Sequence, residues 1–380
     1  MEKILHLSHT DIAYDSRILK ILNASKNAGY EVFAIGMKSK LEEVGKRENL
    51  GATYIHSIVI SARSINWVHK YLKRLIIYFE FFIKSYRLAV SYNPDIIHCN
   101  DNLVLPIALV LKFCTRASLI YDAHELESDK NGQGKLSGFF IKYFEKLSWR
   151  FIDGLIVVSP SIANWYNENI GFKNCAVVLN SPVINKFRDS KYNTYLRDTF
   201  KVPEGKKIFI YVGLLEEGRG IDLIENAFTN KSLNSHVIFI GYGSLKKRLN
   251  DLSLRLSNFH VHDAVTHDRL VEIVSSADVG LCLIENISLS DYFSLPNKLF
   301  EYCFAGIPVI ASKFPDISML VSRYNLGEVT DLDTESVVTA ISSFEKGKFN
   351  DGFVVEDLHD LSWDAQAKKL LSFYKQILNK

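Results

Sequence analysis

Residues 281–312 read LCLIENISLSDYFSLPNKLFEYCFAGIPVIAS, and this stretch decides the fold. The apolar run at 279–284 is long enough for a buried strand, and apolar residues at helical spacing across 299–304 predict a core-facing helix. A glycine and a proline then end the helix, and 309–311 begins a second strand. The stretch is therefore predicted to be a β-α-β unit.

The start of this helix carries polar residues that packing does not require. Ser294 is expected to cap the first backbone N–H groups, and Pro296 suits the first turn, where its missing N–H costs little. Lys298 opposes the helix dipole there by ~0.3–1 kcal/mol, a sign that a bound anion would reverse. Glu301 follows on a neighbouring position of the same helix face. An ordinary surface Lys–Glu pair is the alternative.

The whole string resembles the donor-site signature of retaining GT-B glycosyltransferases, the large family four that uses nucleotide sugars. By that resemblance Glu301 holds the nucleotide ribose. Ser294, Asn297 and Lys298 would lie near the diphosphate or the sugar, with Lys298 taking part in catalysis. Many members carry a second glutamate eight positions before the first, where this chain has Phe293. The catalytic roles attached to that earlier carboxylate are therefore not transferred to this chain.

The bulk composition bounds the class of protein. A chain of 380 residues suits two domains rather than one core. Its 45 basic and 43 acidic residues are nearly balanced, which gives no argument for a nucleic-acid partner. The five cysteines show no paired spacing, as expected in a reducing cytosol without disulfides or a zinc site. The first residues, MEKILHLSH, contain no long apolar run, so we expect no secretory signal there. No apolar stretch reaches the ~18–20 residues needed to span a bilayer.

The first half of the chain repeats one arrangement, in which an apolar run ends in polar residues. The runs at 3–8, 30–35, 94–100 and 119–124 predict strands of a doubly wound sheet, whose strand ends collect ligands. Asp15 is predicted to cap a helix. The polar residues at these strand ends that we assign to acceptor binding are His9, Asp11, Asp101 and Asp122.

The sequence DAHE, which includes His124, has a further implication through the resemblance. In the family a histidine at this position lies close to the bound sugar, so His124 is a candidate catalytic residue. A structural histidine is the alternative.

The second half restarts the strand pattern at 207–213 and again at 236–241. The resemblance places Gly213 and Arg219 at the diphosphate, where a planar guanidinium can bind two oxygens. It also places the backbone of Gly241 and Gly243 against the donor. A basic residue common just after the first glycine is Leu214 here, so one usual diphosphate contact is missing.

Two shorter segments complete the candidate donor site. Val265 is the last residue of a predicted strand and turn at 259–265, and we assign it to a backbone contact with the nucleotide base. Asp331-Leu332-Asp333 looks like the metal-binding Asp-x-Asp of the other glycosyltransferase fold, but it precedes a helix predicted near Thr334. Turn and N-cap chemistry explains it better, and we predict no metal.

The segment 62–90 is helix-permissive, aromatic and basic, with Glu80 as its one acid. Such a segment can lie on an anionic membrane surface. Packing of its aromatic residues on its own domain is an equal alternative. The resemblance favours the membrane, because many of these enzymes act on lipid-linked acceptors.

The resemblance implies an α/β protein with the GT-B arrangement, two Rossmann-like doubly wound domains facing each other across a cleft. We place the acceptor domain at 1–185, the donor domain at 186–355, and a helix that crosses back to the first domain at 356–380. The expected enzyme is a metal-independent retaining glycosyltransferase without a cofactor. It would lie in the cytoplasm, peripherally at the inner face of the membrane.

The expected donor is a UDP-sugar, with GDP next, and the acceptor a glycan or lipid-linked oligosaccharide in bacterial O-antigen or capsule assembly. A nucleotide-sugar 2-epimerase and a non-catalytic scaffold on the same fold stay open as alternatives.

Overall fold

The computed structural model describes residues 1–38, 53–65, 67–183, 194–230, 232–349 and 353–379, and of residues 48, 49, 267 and 268 the backbone alone. The chain divides into two compact units. Unit 1 comprises Met1–Val178 and Ala367–Lys380, and unit 2 comprises Leu179–Gln366. The division falls at 178/179 and 366/367, whereas the sequence led us to place it after 185 and 355.

Unit 1 contains an eight-stranded sheet. Its strands are β1 Lys3–Leu7, β2 Glu31–Met37, β3 Glu48–Asn49, β4 Thr53–Ile58, β5 Ile96–Asn100, β6 Ser118–Ala123, β7 Gly154–Val157 and β8 Cys175–Val177. Their spatial order is β3-β4-β2-β1-β5-β6-β7-β8. The short β3 pairs antiparallel with β4, and the other neighbours pair parallel. β1 and β5 are almost wholly buried, as expected for central strands covered on both faces.

The helices of unit 1 are α1 Ser16–Asn27, α2 Lys70–Tyr92, α3 Leu105–Thr115, α4 Lys135–Ser148 and α5 Pro160–Asn169. The Asp15 side chain accepts a hydrogen bond from the Ile18 N–H, which confirms the predicted cap of α1. The chain crosses from β1 to β2 in one direction along the sheet. It crosses from β4 to β5, and then to β6, β7 and β8, in the opposite direction. Because such crossovers are right-handed, α1 covers one face of the sheet and α2–α5 form a layer on the other.

Unit 2 contains a six-stranded parallel sheet. Its strands are β9 Ile208–Leu214, β10 His236–Tyr242, β11 Phe259–His262, β12 Val279–Cys282, β13 Val309–Ser312 and β14 Gly327–Thr330. Its helices are α6 Tyr195–Phe200, α7 Ile221–Phe228, α8 Lys246–Ser253, α9 His267–Val274, α10 Leu289–Tyr292, α11 Asn297–Phe304, α12 Pro315–Arg323 and α13 Thr334–Glu345. The last helix, α14, spans Trp363–Leu378, and its residues from Ala367 onward belong to unit 1.

The strand order of unit 2, β11-β10-β9-β12-β13-β14, starts at its centre. From β9 the chain adds β10 and β11 on one side, then returns to add β12, β13 and β14 on the other. The direction therefore changes between β9 and β12. In open parallel sheets the carboxyl ends of the strands at such a point form a crevice that binds ligands.

The two parallel-sheet units confirm the predicted fold class, an α/β protein of Rossmann-like domains. One boundary differs from that expected. α2 begins at Lys70, and Ser61–Ser64 forms a separate 3-10 turn before it. β11 spans Phe259–His262 within the strand and turn expected at 259–265. Within the described ranges, no helix is both long enough and apolar enough to cross a membrane.

Candidate functional site

Helix α11 lies at the point where β9 and β12 separate. The two strands pair only at Val279 with Phe209 and at Gly280 with Ile210. Beyond that, the Tyr302 hydroxyl accepts a hydrogen bond from the Val212 N–H at 2.9 Å and donates one to the Leu281 carbonyl at 3.2 Å. The side chain thus replaces missing strand pairing and fixes α11 at the crevice of unit 2.

Lys298 and Glu301 of this helix are buried, at 9% and 6% exposure, so the alternative of a surface Lys–Glu pair is wrong. The Lys298 ammonium lies 3.9 Å from the centre of the Tyr211 ring. Its nitrogen is shielded from solvent and has no hydrogen-bond partner in the part of the chain that the structure describes. A buried cation costs several kcal/mol unless an anion accompanies it, and an anion bound beside Lys298 would lower that cost.

The N-terminus of α11 differs from the prediction at Ser294. Pro296 is the N-cap residue, and it makes no side-chain hydrogen bond to the first turn of the helix. The Ser294 N–H bonds to the Asp291 carbonyl and so does its hydroxyl, at 2.7 Å, because the chain makes a tight turn after α10. Its hydroxyl therefore points back along the chain, which corrects the predicted capping role. Asn297, the first residue of α11, is exposed.

Three glycines lie at or next to the ends of β9 and β10, and the space around them differs. A Cβ on Gly241 would lie 1.9 Å from the Gly213 carbonyl oxygen, and one on Gly243 would lie 2.3 Å from the Leu215 carbonyl oxygen. Close packing of the two strand ends therefore requires both. Gly213 itself has φ +129°, and among the described residues the one heavy atom within 4 Å of a Cβ there would be the Tyr211 hydroxyl oxygen, at 4.0 Å. Open space next to Gly213 leaves its backbone accessible to a ligand.

The loops that follow β9 and β12 are joined to each other. Gly220 has φ +73°, its Cβ would lie 2.3 Å from the Leu283 carbonyl oxygen, and its N–H donates to Glu285 at 3.2 Å. This contact holds the neighbouring Arg219 beside α10, with its guanidinium 3.8 Å from Asp291 Oδ1. Arg219 is half-buried and thus reachable from the crevice.

Sequence reasoning missed Tyr211 and Asp291. The spacing Ser288-x-x-Asp291 is a capping-box signal that could have placed Asp291 at a helix start, and Ser288 does accept from the Asp291 N–H. Tyr211 had no such signal, because it reads as one more apolar strand residue. Val265 is half-buried in the loop after β11.

In unit 1 the polar residues after β1, β5 and β6 form a second cluster. His9 Nδ1 lies 3.1 Å from Asp101 Oδ2, and Asp101 adopts φ 86° and ψ 156°, a conformation that non-glycine residues rarely adopt. Such strain costs ~1–3 kcal/mol and concentrates at functional sites. Burial alone would raise the pKa of Asp101, but His9, Lys130 and His124 hold it well below its usual range. Asp11 precedes a 3-10 turn nearby and is half-buried.

His124 joins this cluster after β6. Its side chain is half-buried, and its Nδ1 has no hydrogen-bond partner among the residues described. Two residues that the sequence did not single out, Glu127 and Lys130, are joined at 2.8 Å. Burial and the neighbouring Asp101 carboxylate raise the pKa of Glu127 to about 9. The structure thus brings His9, Asp101 and His124 into one group at the sheet edge.

Asp122 does not belong to that group, and its assignment to acceptor binding is wrong. The side chain is fully buried, and the Arg17 guanidinium donates to both its oxygens at 3.1 Å. His98 Nε2 lies 3.2 Å from the same carboxylate. Burial opposes the charge, but Arg17 and His98 hold the pKa of Asp122 well below its usual range. Its role is structural, inside the sheet of unit 1.

The Asp-x-Asp sequence after β14 has the explanation predicted from its context. The Asp333 side chain accepts from the Ser336 N–H at 2.8 Å and caps α13, and Asp331 pairs with Lys313 at 3.3 Å. Across the described ranges, no three His, Cys, Asp or Glu side chains converge as a metal site would require.

Two family models match the chain. The model described as Glycosyltransferase Family 4 matches residues 17–184, and the model described as Glycosyl transferases group 1 matches residues 194–369. An uncharacterized glycosyltransferase of Methanocaldococcus jannaschii is 23% identical over 274 residues, which are 67% of this chain and 66% of that protein. This chain therefore spans just under two thirds of that curated relative.

Solved structures resemble the chain over its full length. Sucrose-phosphate synthase from Thermosynechococcus elongatus superposes with a TM-score of 0.81 at 17% identity, over 100% of both chains. HepE of Anabaena, in a complex with UDP and glucose, superposes with a TM-score of 0.74 at 14% identity, over 99% of this chain and 100% of that one. At these identities the likeness shows the fold, and that fold is GT-B.

Proposed function

Because the chain belongs to the group 1 glycosyltransferases of the GT-B fold, we propose that it moves a sugar from a nucleotide sugar to a glycan or lipid-linked acceptor. We propose retention of the anomeric configuration, a metal-independent reaction, and a place in bacterial surface polysaccharide assembly. The observation that carries the proposal is the buried Lys298 ammonium without a hydrogen-bond partner in the described chain. An anion at the start of α11 would satisfy both the cation and the helix N-terminus.

Each donor group has a proposed partner in unit 2. The diphosphate lies against Lys298, the Arg219 guanidinium and the accessible backbone of Gly213. Glu301 accepts hydrogen bonds from the ribose hydroxyls, and Val265 lies at the base. UDP is favoured because the related HepE structure contains UDP and glucose, with GDP as the next candidate.

Transfer of the sugar leaves negative charge on the departing phosphate, which the protein must stabilise. Preorganised donors aimed at such charge contribute ~2.7–4 kcal/mol each, judged from oxyanion-hole deletions. Lys298, Arg219 and the first N–H groups of α11 supply this stabilisation. The leaving phosphate itself takes the proton of the attacking acceptor hydroxyl, so no carboxylate base is needed. His124 lies beside the sugar, and His9, Asp11 and Asp101 position the acceptor.

A peripheral location at the inner face of the cell membrane follows from the proposed lipid-linked acceptor. Support comes from Trp67, just before α2, and from Tyr71, Leu75 and Phe79 in its first half, all of which are exposed. Lysines and arginines lie between these side chains, and 67–79 contains no acidic residue. Basic and aromatic residues in this mixture favour an anionic lipid surface.

The deciding experiment measures binding of UDP-, GDP- and dTDP-sugars by calorimetry, followed by transfer assays with EDTA present. We expect saturable binding of one UDP-sugar and transfer that EDTA leaves unchanged. Absence of saturable binding to any member of the panel would overturn the proposal in favour of a scaffold. Release of free UDP without an acceptor would identify an epimerase instead, and loss of activity that manganese restores would disprove metal independence.

A further inference from the structure

Helix α4 of unit 1 presents large apolar side chains to solvent. These side chains are 55–72% exposed and are named here the outward apolar face of α4: Leu136, Phe139, Phe140, Tyr143 and Leu147. Spacings of three and four residues put them on one side of the helix. The ring of Phe139 lies 5.9 Å from that of Phe140 and 6.4 Å from that of Tyr143, centre to centre. The three aromatic rings thus form one continuous patch, and Leu136 and Leu147 lie on the same side of the helix.

The fully buried residues of α4, which pack against unit 1, are the small or polar Gly138, Glu145 and Ser148, while Ile141 and Phe144 are half-buried. A Cβ on Gly138 would lie 2.3 Å from the Ser128 carbonyl oxygen, so the helix backbone touches the loop before it. The buried Glu145 accepts hydrogen bonds from the hydroxyls of Tyr121 and Tyr166, at 2.8 and 2.7 Å. These contacts fix the rotation of α4, and the apolar side chains cannot turn inward without breaking them.

The exposed charged residues of α4 itself are basic. Lys135, Lys146 and Arg150 are exposed at or next to α4, while its one acid, Glu145, is buried and bound to the two tyrosines. Pairing of two identical α4 helices would bring these cations together, whereas an anionic surface would neutralise them. A convex ridge of phenylalanine, tyrosine and leucine also suits the boundary between lipid head groups and acyl chains, which such helices enter by ~5–10 Å.

We propose that the outward apolar face of α4 inserts into the interfacial region of an anionic phospholipid bilayer. α4 belongs to the same helical layer of unit 1 as α2, so two separate elements of that layer would contact the membrane. Insertion of this face is independent of the sugar that the enzyme transfers and of any contact that α2 makes with the membrane.

The test compares the full-length protein with the triple variant Phe139→Ser, Phe140→Ser, Tyr143→Ser in sedimentation with phosphatidylcholine vesicles that contain 30% phosphatidylglycerol. We expect the partition coefficient of the triple variant to fall at least tenfold. Leu254→Ser, which removes an 86% exposed apolar side chain from unit 2, is the matched control and should bind as wild type. Because all three replaced side chains are exposed, the melting temperature and nucleotide-sugar binding should stay unchanged.

A second measurement reports insertion directly. The emission of a Tyr143→Trp variant, after subtraction of the wild-type signal, should shift to shorter wavelength on vesicle addition and be quenched by brominated acyl chains. Unchanged partitioning of the triple variant, or an emission that vesicles do not alter, would overturn the proposal. A wild-type dimer that the triple variant converts to a monomer, with vesicle binding unchanged, would assign the face to self-association instead.

Discussion

The ammonium group of Lys298 lies 3.9 Å from the centre of the Tyr211 ring, and the described residues offer it no hydrogen-bond acceptor. A cation–π contact of this kind contributes ~0.5–2 kcal/mol, less than the several kcal/mol that burial of an unpaired charge costs. The free protein therefore bears a local cost at this position. A bound diphosphate would remove it.

Lys298→Met should separate stability from function. We expect the free energy of unfolding of the free protein to rise, because the variant keeps the packing volume and removes the unpaired charge. Donor transfer should fall mainly in kcat, by ~10²-fold or more, if the cation faces charge that grows in the transition state, as proposed. Urea unfolding and steady-state kinetics measure the two effects. Lys346→Met, at an exposed position, is the control, and a Lys298→Met variant with wild-type kcat would contradict the assignment.

Glu301→Gln should weaken donor binding instead. Loss of hydrogen bonds to a charged acceptor costs ~1.5–3 kcal/mol, so the donor KM should rise roughly tenfold or more. Kinetics at varied donor concentration measure this. The control is Glu335→Gln on the exposed side of α13. Were the donor KM of the Glu301 variant to match wild type, the ribose assignment would be lost.

Tyr302→Phe removes the hydroxyl that bridges β9 and β12. The Val212 N–H then remains buried without its partner, which costs ~1–3 kcal/mol. We expect unit 2 to lose this much free energy of unfolding, and the donor affinity to fall because α11 is less firmly held. Urea unfolding and calorimetry test both. A variant as stable as wild type would show that the bridge is dispensable.

Asp122→Asn should destabilise unit 1 in a pH-dependent manner. The folded-state pKa of Asp122 lies below the unfolded value of ~3.9, so its contribution is complete above that pH and is lost as the pH falls further. At pH 7 the variant leaves Arg17 buried without its counter-ion, at a cost of ~3–5 kcal/mol. Urea unfolding at pH 7 and near pH 3 should show the gap to wild type narrowing. Glu168→Gln, an exposed acid of the same unit, should show no such gap.

Reversal of Lys70, Lys73 and Arg74 to glutamate should detach the start of α2 from anionic vesicles. Each basic residue near such a surface contributes ~1 kcal/mol at low salt, so the triple change removes at least ~3 kcal/mol. Vesicle sedimentation measures this loss of binding at low salt. At high salt, the difference between the variant and wild type should disappear. The same reversal at Lys368, Lys369 and Lys375, exposed residues of α14, controls for net charge. Equal effects of the two variants would disprove membrane binding by α2 and leave packing on its own domain as its role.

Much of the fold could be predicted because buried parallel strands leave apolar runs. The runs at 207–213 and 236–241 correspond to β9 and β10 within one residue. β4 and β14 were missed, since polar residues interrupt the apolar pattern of Thr53–Ile58 and Gly327–Thr330.

The site was predictable where one stretch of chain forms it, and less so where distant residues meet. Lys298 and Glu301 lie in a single motif. Asp122 reads as a strand-end acid like Asp101, but Arg17, 105 residues away, reaches into the sheet and neutralises it. No local pattern reports such a partner, and the outward apolar face of α4 was missed because periodicity shows that a helix has an apolar side but not where that side points.

Gly280 and Tyr302 constrain how this protein can diverge. A Cβ on Gly280 would lie 2.3 Å from the Tyr302 ring, so no other residue fits at 280 while the tyrosine remains. A phenylalanine at 302 would clash in the same way and also leave the Val212 N–H unpaired. A lineage can therefore replace Gly280 only once the aromatic ring at 302 is gone, whereas residue 302 can change while the glycine stays. Descendant or designed sequences with a side chain at 280 should lack an aromatic residue at 302, so the order of the two changes is fixed.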